Sequence, residues 1–447
     1  MTGKRLGGVW IFFLLFILPG HLAAAQGDLD LSFNPPNGFS VFKGPGDRRD
    51  RGIEIAVQTD GKILVLGYSH TGTNDDLLLV RYTPEGKLDP TFSQYGFVTY
   101  IGGQGDDRGL GLALQADGKI IAVGQYHNGI DRDILVLRYL DDGTLDPAFA
   151  DQGVFIYPGA ASGTNIAFGV AIQKDGKILV TGESSNGSNQ DLILLRLTPA
   201  GVLDGTFGTG GVVTYPGSGG GLDRGFAVTV QDDEKIVVVG AVTIQTKDDL
   251  LALRYKPDGT PDTDFATQGE FLYSAAGDRS DYGYGVSVQP DGKILLIGVS
   301  SAPPDIPRLI VLRLTGQGTL DQTFGTQGVV TYPASGTAQA YGYGAAFQRD
   351  GKILVVGSLV DGSGEDVLAL RMNTNGTLDE TFGLNGVVLF QGAGKGIDRG
   401  HGLALQKDGK IVVTGFSFNG TTDDLLVLRL WGPPLTYYLP LVFKPGI

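Results

Sequence analysis

Cysteine is absent from this sequence, which rules out a disulfide framework, a thiolate metal site and a cysteine nucleophile. Histidine is nearly absent too. Of four residues, His70, His127 and His401 lie beyond the N-terminal leader, far apart and with no zinc spacing around them. Charged residues make up only 18% and bases are the minority, with a formal net charge of −14. Losing Lys4 and Arg5 with the leader takes this to −16, so nucleic acid and anionic membrane are not expected partners. After the leader no apolar run is long enough to span a bilayer. No G-x-S-x-G elbow occurs, and Gly392-Ala393-Gly394-Lys395-Gly396 lacks the Ser or Thr that a phosphate loop places after its lysine.

Glycine, by contrast, is plentiful at 72 residues beside 42% apolar residues. This is the composition of a folded chain with many turns. The N-terminus reads as a secretory signal over residues 1–25: Lys4 and Arg5, an apolar run from Val9 to Leu18, then Ala23-Ala24-Ala25 before Gln26. Export to the medium or the cell surface is expected, from a bacterial source. Without disulfides, stability must come from a large buried core.

Self-similarity organises the rest. Asp-Gly-Lys recurs at Asp60, Asp117, Asp175, Asp291, Asp350 and Asp408, with Asp233-Glu234-Lys235 in the gap, at spacings of 57 to 59 residues. Leu-Asp-x-x-Phe ends at Phe33, Phe92, Phe149, Phe207, Phe324 and Phe382, with Pro261 replacing Leu before Phe265. Each of the seven units reads as four short strands, in the third Gly153–Tyr157, Ala167–Gln173, Lys177–Gly182 and Leu192–Leu197. Asp175-Gly176 predicts a type I′ hairpin turn. The third and fourth strands are continuous apolar runs, as strands buried on both faces are. The expected fold is all-β: a seven-bladed β-propeller with four antiparallel strands per blade, over residues 26–430. A Pro- and aromatic-rich tail, 431–447, follows.

Every unit ends its fourth strand with arginine, and eight residues on stands the aspartate of the Leu-Asp marker. The pairs are Arg81 with Asp89, Arg138 with Asp146, Arg196 with Asp204, Arg254 with Asp262, Arg313 with Asp321, and Arg371 with Asp379. Because a buried arginine needs a partner, each is predicted to form a bidentate structural ion pair. Arg429 has no such aspartate after it and Asp30 no arginine before it, so closing the ring would satisfy both.

Alternating strand direction puts the Asp-Gly-Lys lysines on one face. The aspartates where second and fourth strands begin, among them Asp50, Asp76, Asp107 and Asp133, fall on the other, expected to be acidic. No cofactor is expected: the aspartates cap turns beside neighbouring arginines, the alternative being that some of them, with loop carbonyls, hold calcium. Symmetry breaks mark where a small ligand would bind. Tyr282, Tyr284, Tyr341 and Tyr343 place aromatics at the second strand of the fifth and sixth units, and a proline-rich loop carrying Asp305 and Arg308 shares that face. Such tyrosines either pack or stack on a sugar or peptide.

The run Gly-x-Leu-Asp-x-x-Phe-Gly-x-x-Gly at Gly201–Gly211, with Gln173–Ile178 and Leu192–Leu197, resembles the bacterial delta-sixty repeat. That resemblance implies an exported, propeller-like protein and brings no catalytic residues; the chain departs from the pattern at Glu234, Pro261 and Arg308. The functional expectation is a monomeric, non-catalytic scaffold that recognises a protein or glycan. The alternative is a hydrolase or lyase acting on an extracellular polymer through Asp carboxylates. An enzyme should bring two or three unrepeated polar residues into one pocket; a scaffold should not.

Overall fold

The computed structural model describes residues 24–44, 48–217, 220–275, 280–302, 306–333, 335–362, 364–394 and 396–433. Most of the leader and of the C-terminal tail lie outside the described residues. Those described form 28 strands in seven four-stranded antiparallel sheets and no helix. The sheets are the blades of a propeller. Innermost strands pack against their counterparts on either side, and Asp50–Val57 of blade 1 packs against Asp398–Leu405 of blade 7, so the ring is closed.

The two central strands of each blade are almost wholly buried, as in Ile63–His70 and Asp75–Tyr82. Their side chains interleave with those of the next blade. One apolar cluster, for instance, joins Leu64, Leu66, Leu77 and Leu79 of blade 1 to Leu112, Ile120, Ala122 and Leu135 of blade 2. At about 25 cal/mol per Å² of apolar surface removed from water, these seven inter-blade layers are the main source of stability.

The four-strand unit visible in the sequence straddles two blades. Val154–Tyr157, its first strand, pairs with Arg132–Tyr139 and is the outermost strand of the preceding blade; Asn165–Ile172 is innermost in the next. Closure follows from this offset. Phe39–Phe42, near the N-terminus, adds to Asp423–Leu430, near the C-terminus, as the fourth strand of blade 7. The Leu29–Leu430 bridge and the Trp431 N–H donating to the Asp28 carbonyl at 2.9 Å extend the seam.

The hairpin turns are not type I′. In Gln173–Lys177 the Gly176 amide donates to the Gln173 carbonyl and only Gly176 has positive φ, +84°, so Asp175 keeps an ordinary backbone. This is a three-residue loop ending in a left-handed glycine. Glu234 takes the same position at φ +65°, a conformation unfavourable for a residue with a side chain.

Candidate functional site

Each repeated arginine sits at the lysine-bearing face, its Nε 2.7–2.9 Å from one oxygen of the marker aspartate, from Arg81–Asp89 round to Arg429–Asp30. The contact is not the bidentate fork of the sequence reading, because the other two nitrogens are needed elsewhere. Nη1 of Arg138 bonds the Pro199 carbonyl of the next blade, and Nη1 of Arg429 bonds the Pro84 carbonyl across the seam. Nη2 of Arg81, Arg196, Arg313 and Arg371 bonds a threonine two residues past the aspartate. The guanidinium also lies 4.4–4.8 Å from the ring of the marker Phe. The Asp-Gly-Lys lysine completes each set, as Lys177 does 3.4 Å from Asp204 and Lys410 3.1 Å from Asp30. Burial raises the Asp204 pKa, but Thr206, Arg196 and Lys177 outweigh it and hold the group at about 2. These sevenfold sets staple blades together.

The opposite face does not present its aspartates. Asp50, Asp107, Asp223, Asp281 and Asp398 are fully buried. Asp107 accepts from the Gly102, Gly103 and His127 amides at 2.8–2.9 Å, and Asp50 accepts from the Gly44 amide. Loops entering a blade leave amides that need acceptors, and these carboxylates supply them. Asp76 bonds Thr71, and Asp133 bonds Asn128 at 3.0 Å; burial and neighbouring carboxylates raise both pKa values. Among the described residues no three acidic or imidazole side chains stand close enough to hold a metal ion. At the axial mouth on this face stand Arg51, Arg108, Arg224 and Arg399, bonded to Asp423, Asp75, Glu183 and Glu365.

Every innermost strand carries a β-bulge at the same level, seen as a register shift between Gly52 and Glu54, Gly109 and Gly111, and so on round to Gly400 and Gly402. The bulged residues are Ile53, Leu110, Phe168, Phe226, Tyr284, Tyr343 and His401, and all seven line one axial cavity of about 400 Å³. A bulge re-aims a side chain and is frequent beside functional sites. Here it turns seven otherwise equivalent positions towards the axis, and the last five are aromatic. Successive centroids from Phe168 to His401 lie 5.2, 5.1, 5.6 and 5.3 Å apart, an arc around more than half the cavity. Tyr282 and Tyr341 stack behind Tyr284 and Tyr343 at 5.9 and 6.5 Å.

The structure thus gathers four of the six residues proposed for a ligand. Arg308 is not among them, for its guanidinium bonds the carbonyls of Pro333, Ser335, Gly336 and Ala338 and fastens that loop. Asp305 lies outside the described residues.

Two residues escaped sequence reasoning. Glu54 follows the bulge in blade 1, where the other blades carry Gly111, Gly169, Ala227, Gly285, Gly344 and Gly402. Aligning the seven units at that column would have exposed it. Among the described residues its carboxylate accepts a single hydrogen bond, 3.1 Å from the Ile55 amide, and burial pushes its pKa up to about 7. His401, set aside for want of metal spacing, sits on the arc with Nδ1 2.9 Å from the Gly52 carbonyl. Burial lowers its pKa to about 4; the ring is neutral at pH 7 with its proton on Nδ1. No hydrogen bond among the described residues joins any two of Glu54, His401, Tyr284 and Tyr343, so the cavity holds separate polar groups and not a coupled dyad.

The family described as domain of unknown function (DUF5122) beta-propeller matches residues 58–92, 115–149, 173–207, 231–265, 289–324, 348–382 and 406–431, more than half of the chain. The chain belongs to the DUF5122 propellers. A search of the curated proteins matched none. Among solved structures, polysaccharide lyase Uly1 aligns with this DUF5122 propeller at a TM-score of 0.50 and 12% identity, over 85% of this chain and 90% of the lyase. A protein of unknown function from Dyadobacter fermentans aligns at 0.47 and 13%, over 88% and 98%. The PQQ-bound aldose sugar dehydrogenase of Streptomyces coelicolor aligns at 0.40 and 13%, over 72% and 94%. At these identities the likeness is one of fold alone.

Proposed function

We propose that this protein is an exported, non-catalytic recognition propeller of the delta-sixty type whose axial cavity receives part of a glycan or peptide ligand. One observation carries the reading: a sevenfold scaffold aims five aromatic side chains, and only those five, at one cavity. Packing alone does not require that asymmetry, since Ile53 and Leu110 fill the same position in blades 1 and 2. Aromatic rings lining a concave, mostly apolar site with a few polar groups are what ligand pockets present.

The mature protein from Gln26, screened on glycan and peptide arrays, should give hits that Tyr284→Ala and Tyr343→Ala weaken at least tenfold without loss of folding. Hits unaffected by both substitutions would place binding elsewhere. Export is checked by expressing the full chain with its leader and sequencing the released protein, which should begin at Gln26.

The polymer hydrolase or lyase is favoured by one finding. Glu54 and His401 are unrepeated polar residues in one cavity, the sign set above for an enzyme. Two things weigh against it: they share no hydrogen bond, and His401 is a poor base with its pKa near 4. Chain cleavage of a polysaccharide panel that Glu54→Gln abolishes would establish that second reading.

A further inference from the structure

We infer that the axial cavity is a site for an organic ammonium group, with Glu54 as its counter-charge and the arc Phe168, Phe226, Tyr284 and Tyr343 as its wall. The inference rests on the cavity being a binding site and names the chemistry it selects.

Glu54 is half-buried in the cavity wall, and its one hydrogen bond among the described residues comes from the amide of the next residue. Among the described residues no arginine or lysine pairs with it. The arginines on the same and the adjoining inner strand are otherwise engaged: Arg51 bonds Asp423, and Arg399 of blade 7 bonds Glu365. An ionised carboxylate in such a place costs free energy that a bound cation would offset. Across the cavity stand aromatic rings, whose negative faces attract a cation while their apolar surface rewards its methyl or methylene groups.

A hard metal ion fits poorly, since calcium requires six to eight oxygens and here there is one carboxylate among rings. A neutral sugar would stack on the rings but leave Glu54 uncompensated. A quaternary or primary alkylammonium meets both walls, and the cavity, about 400 Å³, has room for such a head with its stem.

Protonation bears on affinity in one direction. Burial holds Glu54 near 7, so the carboxylate is mostly ionised at pH 8 and mostly neutral at pH 6. The facing groups do not titrate in that interval: His401 ionises near 4, burial pushes Tyr343 up to about 12 and raises Tyr284, and, against burial, the Glu365 carboxylate raises Arg399 further.

The test is calorimetric titration of the mature protein in phosphate buffer with choline and with its neutral isostere 3,3-dimethylbutan-1-ol. Choline should bind at least tenfold more tightly than the isostere at pH 8 and about tenfold more weakly at pH 6 than at pH 8. Glu54→Gln should remove both the preference and the pH dependence, and Tyr284→Ala should weaken choline at either pH. Equal binding of the two compounds, or choline binding that Glu54→Gln leaves intact, overturns the ammonium assignment but not the cavity as a binding site. If neither compound binds while array hits depend on Tyr284, the assignment also falls and the recognition reading stands. If array hits ignore Tyr284 and Tyr343 as well, both fall together.

Discussion

At the scale of the residue, the molecule separates side chains that repeat from those that do not. The repeated Arg, Asp and Lys of each unit are legible in the sequence because seven copies at a fixed spacing cannot be chance. They stabilise blades, since a guanidinium sharing one carboxylate with a lysine and capping the next blade's carbonyl leaves little charge unsatisfied. Arg371 departs from this: its Nη1 finds no partner among the described residues, because the chain leaves the repeat after Leu430. Unrepeated residues were legible only in part. Tyr284 and Tyr343 stood out as aromatics, whereas Glu54 is one acidic residue among 48 until the fold shows it facing a cavity.

Glu54 also yields a stability prediction. Its folded pKa is raised from 4.5 to about 7, so its favourable, protonated contribution is whole below pH 4.5 and lost as pH rises through 7. At 1.36 kcal/mol per pKa unit the loss is at most about 3 kcal/mol, less where cavity water screens the charge. Glu54→Gln should therefore melt above wild type at pH 8, with the gap closing towards pH 5 in a thermal unfolding series. A gap constant with pH would contradict the burial of this group.

At the scale of the element, the innermost strand depends on a glycine in its neighbour. Opposite each bulge lies Gly67, Gly124, Gly182, Gly240, Gly298, Gly357 or Gly415, and a Cβ there would fall 1.7–1.9 Å from a carbonyl oxygen of the innermost strand. The bulge draws that backbone across the pleat and only glycine admits it. The same glycine thus permits the geometry that turns seven side chains to the axis. Gly298→Ala should destabilise the protein by about 3 kcal/mol or more, while Gly205→Ala, with open space around it, should stay within about 0.5 kcal/mol. Denaturant titration of the two variants makes the comparison; similar midpoints would show that the bulge is not sterically required. The hairpin prediction failed at this scale because Asp-Gly is compatible with several turns, and the strand hydrogen bonds decide which one forms.

At the scale of the whole molecule, stability is that of a ring. Each blade buries its faces against two neighbours, so opening one seam exposes the apolar faces of two blades at once. The seam is the added strand Phe39–Phe42 together with Asp30, whose carboxylate meets Arg429 at 2.7 Å and Lys410 at 3.1 Å. Removing residues 26–42 would strip the outer edge of blade 7, leave Arg429 without its carboxylate and bare a strand edge. The intact protein should unfold in one cooperative transition in scanning calorimetry, and such a truncation should lose it and aggregate at neutral pH. An unchanged transition would mean that the remaining blades close without it.

What the sequence determined by itself was the repeat: seven units, four strands in each, both central strands buried, and an arginine at one end of the chain matched to an aspartate at the other. These follow from local pattern, because hydrophobic runs, turn dipeptides and spacing act over a few residues at a time. Only the tertiary structure decided how the units are cut into blades, which strand lies innermost, and that positions 53, 110, 168, 226, 284, 343 and 401 face one another. Those residues lie about a repeat apart along the chain and meet only when the ring closes and a bulge turns each inward. A cavity on the axis therefore belongs to no single unit.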